Sequence, residues 1–111
     1  MMITTDRVEL CAAADVDEGD ILKIDDVPGF TAPLAVVHSG GTYYCIDDTC
    51  SHQDASLSDG WVDEGCVECP LHESRFDLCS GKPDIPPARE PIRTYPVEVV
   101  DGIVYLRREE Q

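Results

Sequence analysis

The sequence predicts an all-β fold, and three observations carry that reading. Short runs rich in β-branched and aromatic residues recur between Gly, Pro and Asp punctuation along the 111-residue chain. Two junctions between such runs, Ser39-Gly40-Gly41 and Asp101-Gly102, have the composition of hairpin turns. No apolar pattern at helical spacing lasts long enough for a helix. At this length the chain is expected to form one domain over 1–111, large enough to bury a core but without room for a second.

The elements follow in order. Arg7–Cys11 and Ile21–Ile24 are the first two predicted strands. Leu34–His38 and Thr42–Asp47 flank the glycine pair and read as a hairpin. Ala55–Ser58 makes at most a turn, and Ser58–Gly65 has the glycines and acidic residues of a returning hairpin. Cys66–Cys69 and Arg75–Leu78 are the next strands; on the first, Cys66 and Val67 face opposite sides, and Val67 is the core candidate. The Pro-rich stretch Lys82–Pro91 makes a stiff connection. Ile92–Val100 and Ile103–Arg107 close the fold around Asp101-Gly102, the strongest hairpin signal, because both central residues of a type I′ turn need positive φ. Pro96 interrupts the first of these runs and marks an edge or a bulge. The tail Arg107–Gln111 is expected to fray.

The chemistry is concentrated in two mixed pairs of ligands. Cys50-Ser51-His52 is followed, after sixteen residues (53–68), by Cys69-Pro70-Leu71-His72. Each loop offers one thiolate and one imidazole, which suits a cofactor with one sulfur-held and one nitrogen-held metal. A Rieske [2Fe–2S] centre is of this kind, because two histidines replace two cysteines on one iron. A closed tetrahedral zinc site also takes two Cys and two His. Zinc fingers, however, usually pair Cys with Cys and His with His along the chain, whereas here each loop is mixed. Cys66-Val67-Glu68-Cys69 also spells Cys-x-x-Cys, a coincidence if Cys69 holds a cluster.

The surrounding residues resemble those of a known family. Cys-Ser-His-Gln-Asp-Ala from Cys50 and Cys-Pro-Leu-His-Glu-Ser-Arg-Phe-Asp from Cys69 are similar to the two cluster loops of Rieske ferredoxins. Leu57-Ser58-Asp59-Gly60, Ser80-Gly81-Lys82 and Ile92-Arg93-Thr94-Tyr95-Pro96-Val97 extend the likeness to the ferredoxin components of bacterial aromatic-ring-hydroxylating dioxygenases. The resemblance implies a Rieske-type antiparallel β-sandwich with a small cluster-binding subdomain over about 46–87. It implies one [2Fe–2S] cluster per chain, with Cys50 and Cys69 on one iron and His52 and His72 on the other, nearest the surface. The protein would be a soluble electron carrier in aromatic-compound degradation. It would pass single electrons from a flavin-containing reductase to a terminal Rieske non-haem iron oxygenase. A Rieske small subunit of another assembly, such as a nitrite reductase, would use the same ligands, and a zinc-binding structural module is the remoter alternative. Trp61 is expected to pack beneath the cluster rather than relay electrons. Asp84–Pro87 matches the proline-bearing loop that often covers the cluster in this family, or is an ordinary linker.

Departures from high-potential members bear on the redox chemistry. The two extra cysteines that cross-link their loops correspond to Ala55 and Leu71 here, and the hydroxyl-bearing Ser and Tyr near their cluster correspond to Ser74 and Phe76. Hydrogen bonds to sulfur stabilise the reduced cluster, so losing one points towards the low end of the Rieske range, about −150 mV. Glu73, beside a ligand, pushes the same way.

Composition sets further bounds. The chain carries 23 acidic and 8 basic residues, a net charge of −15. Between Asp47 and Glu73 there are eight carboxylates (Asp47, Asp48, Asp54, Asp59, Asp63, Glu64, Glu68, Glu73) and no Lys or Arg. Nucleic acid and anionic membranes would be repelled, and a basic docking patch attracted; general acidity for solvation is the other reading. No run approaches the roughly twenty apolar residues of a membrane span, and Met1–Asp6 shows no secretory signal, so a cytoplasmic address is expected. There Cys11, Cys45, Cys66 and Cys79 would be mostly buried thiols. Of three histidines only His38 is left over, too few for a mononuclear iron site, and no Gly-rich phosphate loop exists. The chain is therefore expected not to be an enzyme by itself.

Overall fold

The computed structural model describes residues 6–49, 56–63, 65–70, 75–85 and 91–108. Eleven strands appear among them: β1 Asp6–Ala12, β2 Ile21–Ile24, β3 Leu34–Ser39, β4 Thr42–Asp47, β5 Trp61–Asp63, β6 Cys66–Glu68, β7 Arg75–Asp77, β8 Pro83–Ile85, β9 Thr94–Tyr95, β10 Val97–Val100 and β11 Ile103–Arg108. They form three sheets in the orders β1-β11-β10, β2-β3-β4-β9 and β5-β6-β7-β8, with antiparallel pairing throughout. No α-helix occurs among the described residues; Ala13–Asp15 and Leu57–Asp59 are single 3₁₀ turns.

The sheet β2-β3-β4-β9 is the shared middle layer. Leu34–Val37 are all buried, a continuous apolar run that an antiparallel strand carries when both of its faces are covered. Alternation sorts them: Ala35 and Val37 join Ile46, Leu57, Val67, Cys69, Phe76 and Leu78 on the side of β5–β8. Leu34 and Val36 pack towards Leu106 and Val104 of β11 on the other side. This two-sided burial makes the antiparallel β-sandwich expected from the sequence.

Both predicted hairpins form. Ser39 pairs with Thr42 across Gly40-Gly41, and Val100 with Ile103 across Asp101-Gly102. All four turn residues have positive φ, as two-residue type I′ loops require. The Glu18 carboxylate accepts the Gly40 and Gly41 N–H groups at 2.6 and 3.0 Å, tying the β1–β2 connection to the first hairpin.

The expected strand Ile92–Val100 is two strands. Thr94–Tyr95 pairs with β4, and Val97–Val100 pairs with β11. Pro96, with no N–H to give a ladder, is where the chain passes between sheets, and its carbonyl accepts the Arg107 N–H at 2.9 Å. β5 is the first arm of the expected returning hairpin, turning at Gly65. The stiff connection after Lys82 begins as β8, an edge strand where proline is tolerated and where register slips against β7. Val67 is fully buried as expected, whereas Cys66 on the opposite face is partly exposed. Trp61 departs from expectation. It is 49% exposed, because Val62 takes the inward position on β5 and Trp61 and Asp63 point out.

Candidate metal centre

Cys69 stands at the end of β6, fully buried in the cluster that holds Leu57, Val67, Phe76 and Leu78. The other three ligand candidates, Cys50, His52 and His72, lie outside the described residues, as do Asp54, Ala55, Leu71, Glu73, Ser74 and 86–90. The roots of the loops that carry them are described.

Thr49 and Ser56 form an antiparallel bridge that closes the base of 50–55. Asp48 reinforces it from inside. Its N–H donates to the Pro33 carbonyl at 3.2 Å, and its own carbonyl accepts the Leu57 N–H at 2.6 Å. Its Oδ1 accepts the Ser58 N–H at 3.0 Å, and Oδ2 is buried without a partner among the described residues. Asp48 is 1% exposed, so it does not belong to an acidic docking surface, as its sequence neighbours suggested. Asp47, next to it, fastens the end of β4. Its carboxylate accepts the Tyr95 hydroxyl at 2.6 Å and the Arg93 N–H at 3.2 Å. Burial, and then the bond to Asp47, raise the Tyr95 hydroxyl well above the usual phenol range.

The second loop springs from Glu68 and Arg75, which are paired across β6 and β7. The two roots touch. A Cβ on Gly60 would overlap the Glu68 carbonyl oxygen, so glycine is needed where the exit of the first loop crosses the entry of the second. Leu57, just after the first loop, shares its apolar cluster with Cys69 and Phe76. Phe76, which has no hydroxyl, is fully buried there.

The donor chemistry fits a Rieske cluster. One thiolate and one imidazole per loop match its two unlike irons, and the thiol in view is withdrawn from water among apolar side chains. Of the remaining nucleophile candidates, the one histidine is held in place. His38 lies stacked on Tyr43, with ring centroids 4.1 Å apart, and its Nδ1 is 2.9 Å from the Val16 carbonyl. Cys11, Cys45 and Cys79 carry free thiols. Burial first, and then nearby Asp47, push Cys45 up to about 12, and burial raises Cys11 to about 11. Cys79 is exposed on the turn after β7.

Comparison with known proteins agrees with this chemistry. Residues 6–96 match the Rieske [2Fe-2S] domain. The chain is 44% identical over 101 residues to the 3-phenylpropionate/cinnamic acid dioxygenase ferredoxin subunit of Escherichia coli K12, covering 90% of this chain and 92% of that one. Its structure is similar to a ferredoxin of Sphingomonas yanoikuyae B1, with a TM-score of 0.85 and 33% identity over 93% of this chain and 99% of that one. It is likewise similar to a chain in the complex of reduced oxygenase and oxidized ferredoxin of carbazole 1,9a-dioxygenase, with a TM-score of 0.84 and 39% identity over 95% of each. With a Rieske domain matched over residues 6–96 and ferredoxin relatives along nearly its whole length, the chain belongs to the Rieske [2Fe–2S] family, as a ferredoxin-type electron carrier and not an oxygenase.

Proposed function

We propose that this protein carries single electrons from a flavin-containing reductase to the terminal Rieske non-haem iron oxygenase of an aromatic-compound dioxygenase system. The observation that carries the reading is the joining of the two loop roots through Gly60 and Glu68, beside the buried Cys69. Cys50 and Cys69 would hold one iron and His52 and His72 the other, within a subdomain over about 46–87 of a single 1–111 domain. Bound there, the [2Fe–2S] cluster supplies one-electron chemistry. The protein's own residues do the rest. Leu57, Val67 and Phe76 keep water from the Cys69 side, and Asp48 and the Thr49–Ser56 bridge tie together the residues that flank the first loop. Exposed Asp59 and Asp63, on the same stretch, supply negative charge for docking. Free thiols at Cys11, Cys45 and Cys79 support a cytoplasmic address, where thiols stay reduced; no helix among the described residues is long and apolar enough to cross a membrane. A nitrite-reductase-like role is supported less, since those small subunits share the fold at 24% identity or below.

The test is reconstitution. Purified protein should be red-brown with two irons and two acid-labile sulfides, and His72→Ala should lose or grossly alter the cluster. Parent protein should couple a flavin reductase to an aromatic-ring oxygenase; a colourless protein with one zinc would overturn the reading.

A further inference from the structure

The outward face of β5–β8 has a composition that the electron-carrier role does not by itself explain. Val62, Val67 and Phe76 turn inward, and their neighbours make two cross-strand rows facing out. One row runs Trp61, Glu68, Arg75, and the next Asp63, Cys66, Asp77. Trp61 is the single tryptophan of the chain, and half of it is left in water. Its indole N–H is donated to Glu68 Oε1 at 2.9 Å, so the exposed ring is held in one orientation. Glu68 immediately precedes Cys69. A fixed aromatic surface therefore stands one strand away from the root of the cluster loop.

Its surroundings are anionic. Asp63, Glu68 and Asp77 share the face, Asp59 is exposed on the turn leading into β5, and the guanidinium on this face, Arg75, reaches Asp63 at 3.3 Å. No Lys or Arg occurs from Asp47 to Glu73. We propose that Trp61, with Glu68 and Asp63, is a docking contact that receives an arginine of the terminal oxygenase. This rests on the function proposed above. Charge complementarity selects a cation, and the ring selects among cations. A guanidinium is planar and weakly hydrated, stacks on an indole face, and can direct its N–H fork to an adjacent carboxylate; an ammonium does the first of these poorly. The ring is already immobilised by Glu68, so docking costs little side-chain entropy. The oxygenase is the favoured occupant because the ferredoxin relative at 39% identity is seen in complex with its oxygenase.

Trp61→Ala and Trp61→Phe, both at an exposed position, should fold and keep the parent cluster spectrum and reduction potential. With reductase in excess, the ferredoxin concentration that half-saturates the oxygenase should rise about five- to thirty-fold in Trp61→Ala. It should rise much less in Trp61→Phe, which keeps a ring. Reduction of the ferredoxin by the reductase should be unchanged. Hexa-arginine should inhibit the parent reaction at lower concentration than hexa-lysine, and that preference should vanish in Trp61→Ala. Half-saturation of Trp61→Ala equal to the parent, an effect on the reductase step alone, or equal inhibition of the parent by the two peptides would each overturn the assignment. A parent protein that cannot reduce the oxygenase at all would overturn the proposed function, and this surface with it.

Discussion

Asp48 Oδ1 accepts the Ser58 N–H at 3.0 Å, joining the residue before the first candidate loop to one just after it. The bond is partly buried, and the same residue's backbone ties Pro33 on one side and Leu57 on the other. A carboxylate in that position serves as a clasp.

Asp48→Ala should therefore strand the Ser58 N–H and cost about 1–3 kcal/mol of stability. It should also release iron to a chelator faster than the parent. Asp48→Asn keeps an acceptor for Ser58 and should lose much less. Denaturant unfolding and the rate of cluster bleaching would report both effects; equal loss in the two variants would mean that the negative charge, not the hydrogen bond, matters.

Gly60→Ala should be among the most damaging single-methyl additions in the protein. The added carbon overlaps the Glu68 carbonyl, so backbone has to move where both loops originate, at a cost of about 1–3 kcal/mol or more. Gly19→Ala is the control. It faces open space at φ +88, so it should lose only about 1–2 kcal/mol of backbone preference and leave the cluster spectrum unchanged. Visible circular dichroism of the two variants would separate them.

Cys45 makes stability depend on alkaline pH. Its thiol rises on folding from the ordinary 9.0 to about 12, chiefly through burial. A group raised in this way favours the fold fully below its unfolded value. The contribution is lost as pH climbs from near 9 towards about 12, because the unfolded chain sheds its proton first. The stability difference between parent and Cys45→Ala should accordingly shrink between about pH 9 and pH 12, as followed by thermal unfolding. At pH 8, alkylation of the native protein should label Cys79, which is exposed, well before Cys45.

Charge reversal tests whether the acidity serves docking. Asp54→Lys and Glu73→Lys flank the histidine candidates in sequence and should slow electron transfer at limiting ferredoxin more than Glu109→Lys in the tail. Added salt should slow the parent reaction, since exposed charges are screened over roughly 8 Å at physiological ionic strength. A small, short-lived interface also predicts no stable complex on a sizing column. Identical effects at the tail and beside the ligands would make the charge a matter of solvation.

The all-β class, both two-residue hairpins and the inward place of Val67 were legible in the sequence, as was the Cys/His spacing from which a mixed donor set is proposed. These are written in contiguous residues: a strand's period of two, the positive φ demanded at Gly40, Gly41, Asp101 and Gly102, and ligand spacing within single loops. Tertiary structure alone decided that Pro96 divides one apolar run between two sheets, that Asp48 is a buried clasp and not a docking charge, and that Trp61 faces water. Each of these depends on which faces of which sheets meet. Asp48 is buried because Pro33 and Leu57 close over the end of β4, and Trp61 is exposed because Val62, pairing with Val67, claims the inward register. Burial of a polar group, or exposure of an apolar one, follows from pairing between segments distant in the chain, and no local pattern carries that information.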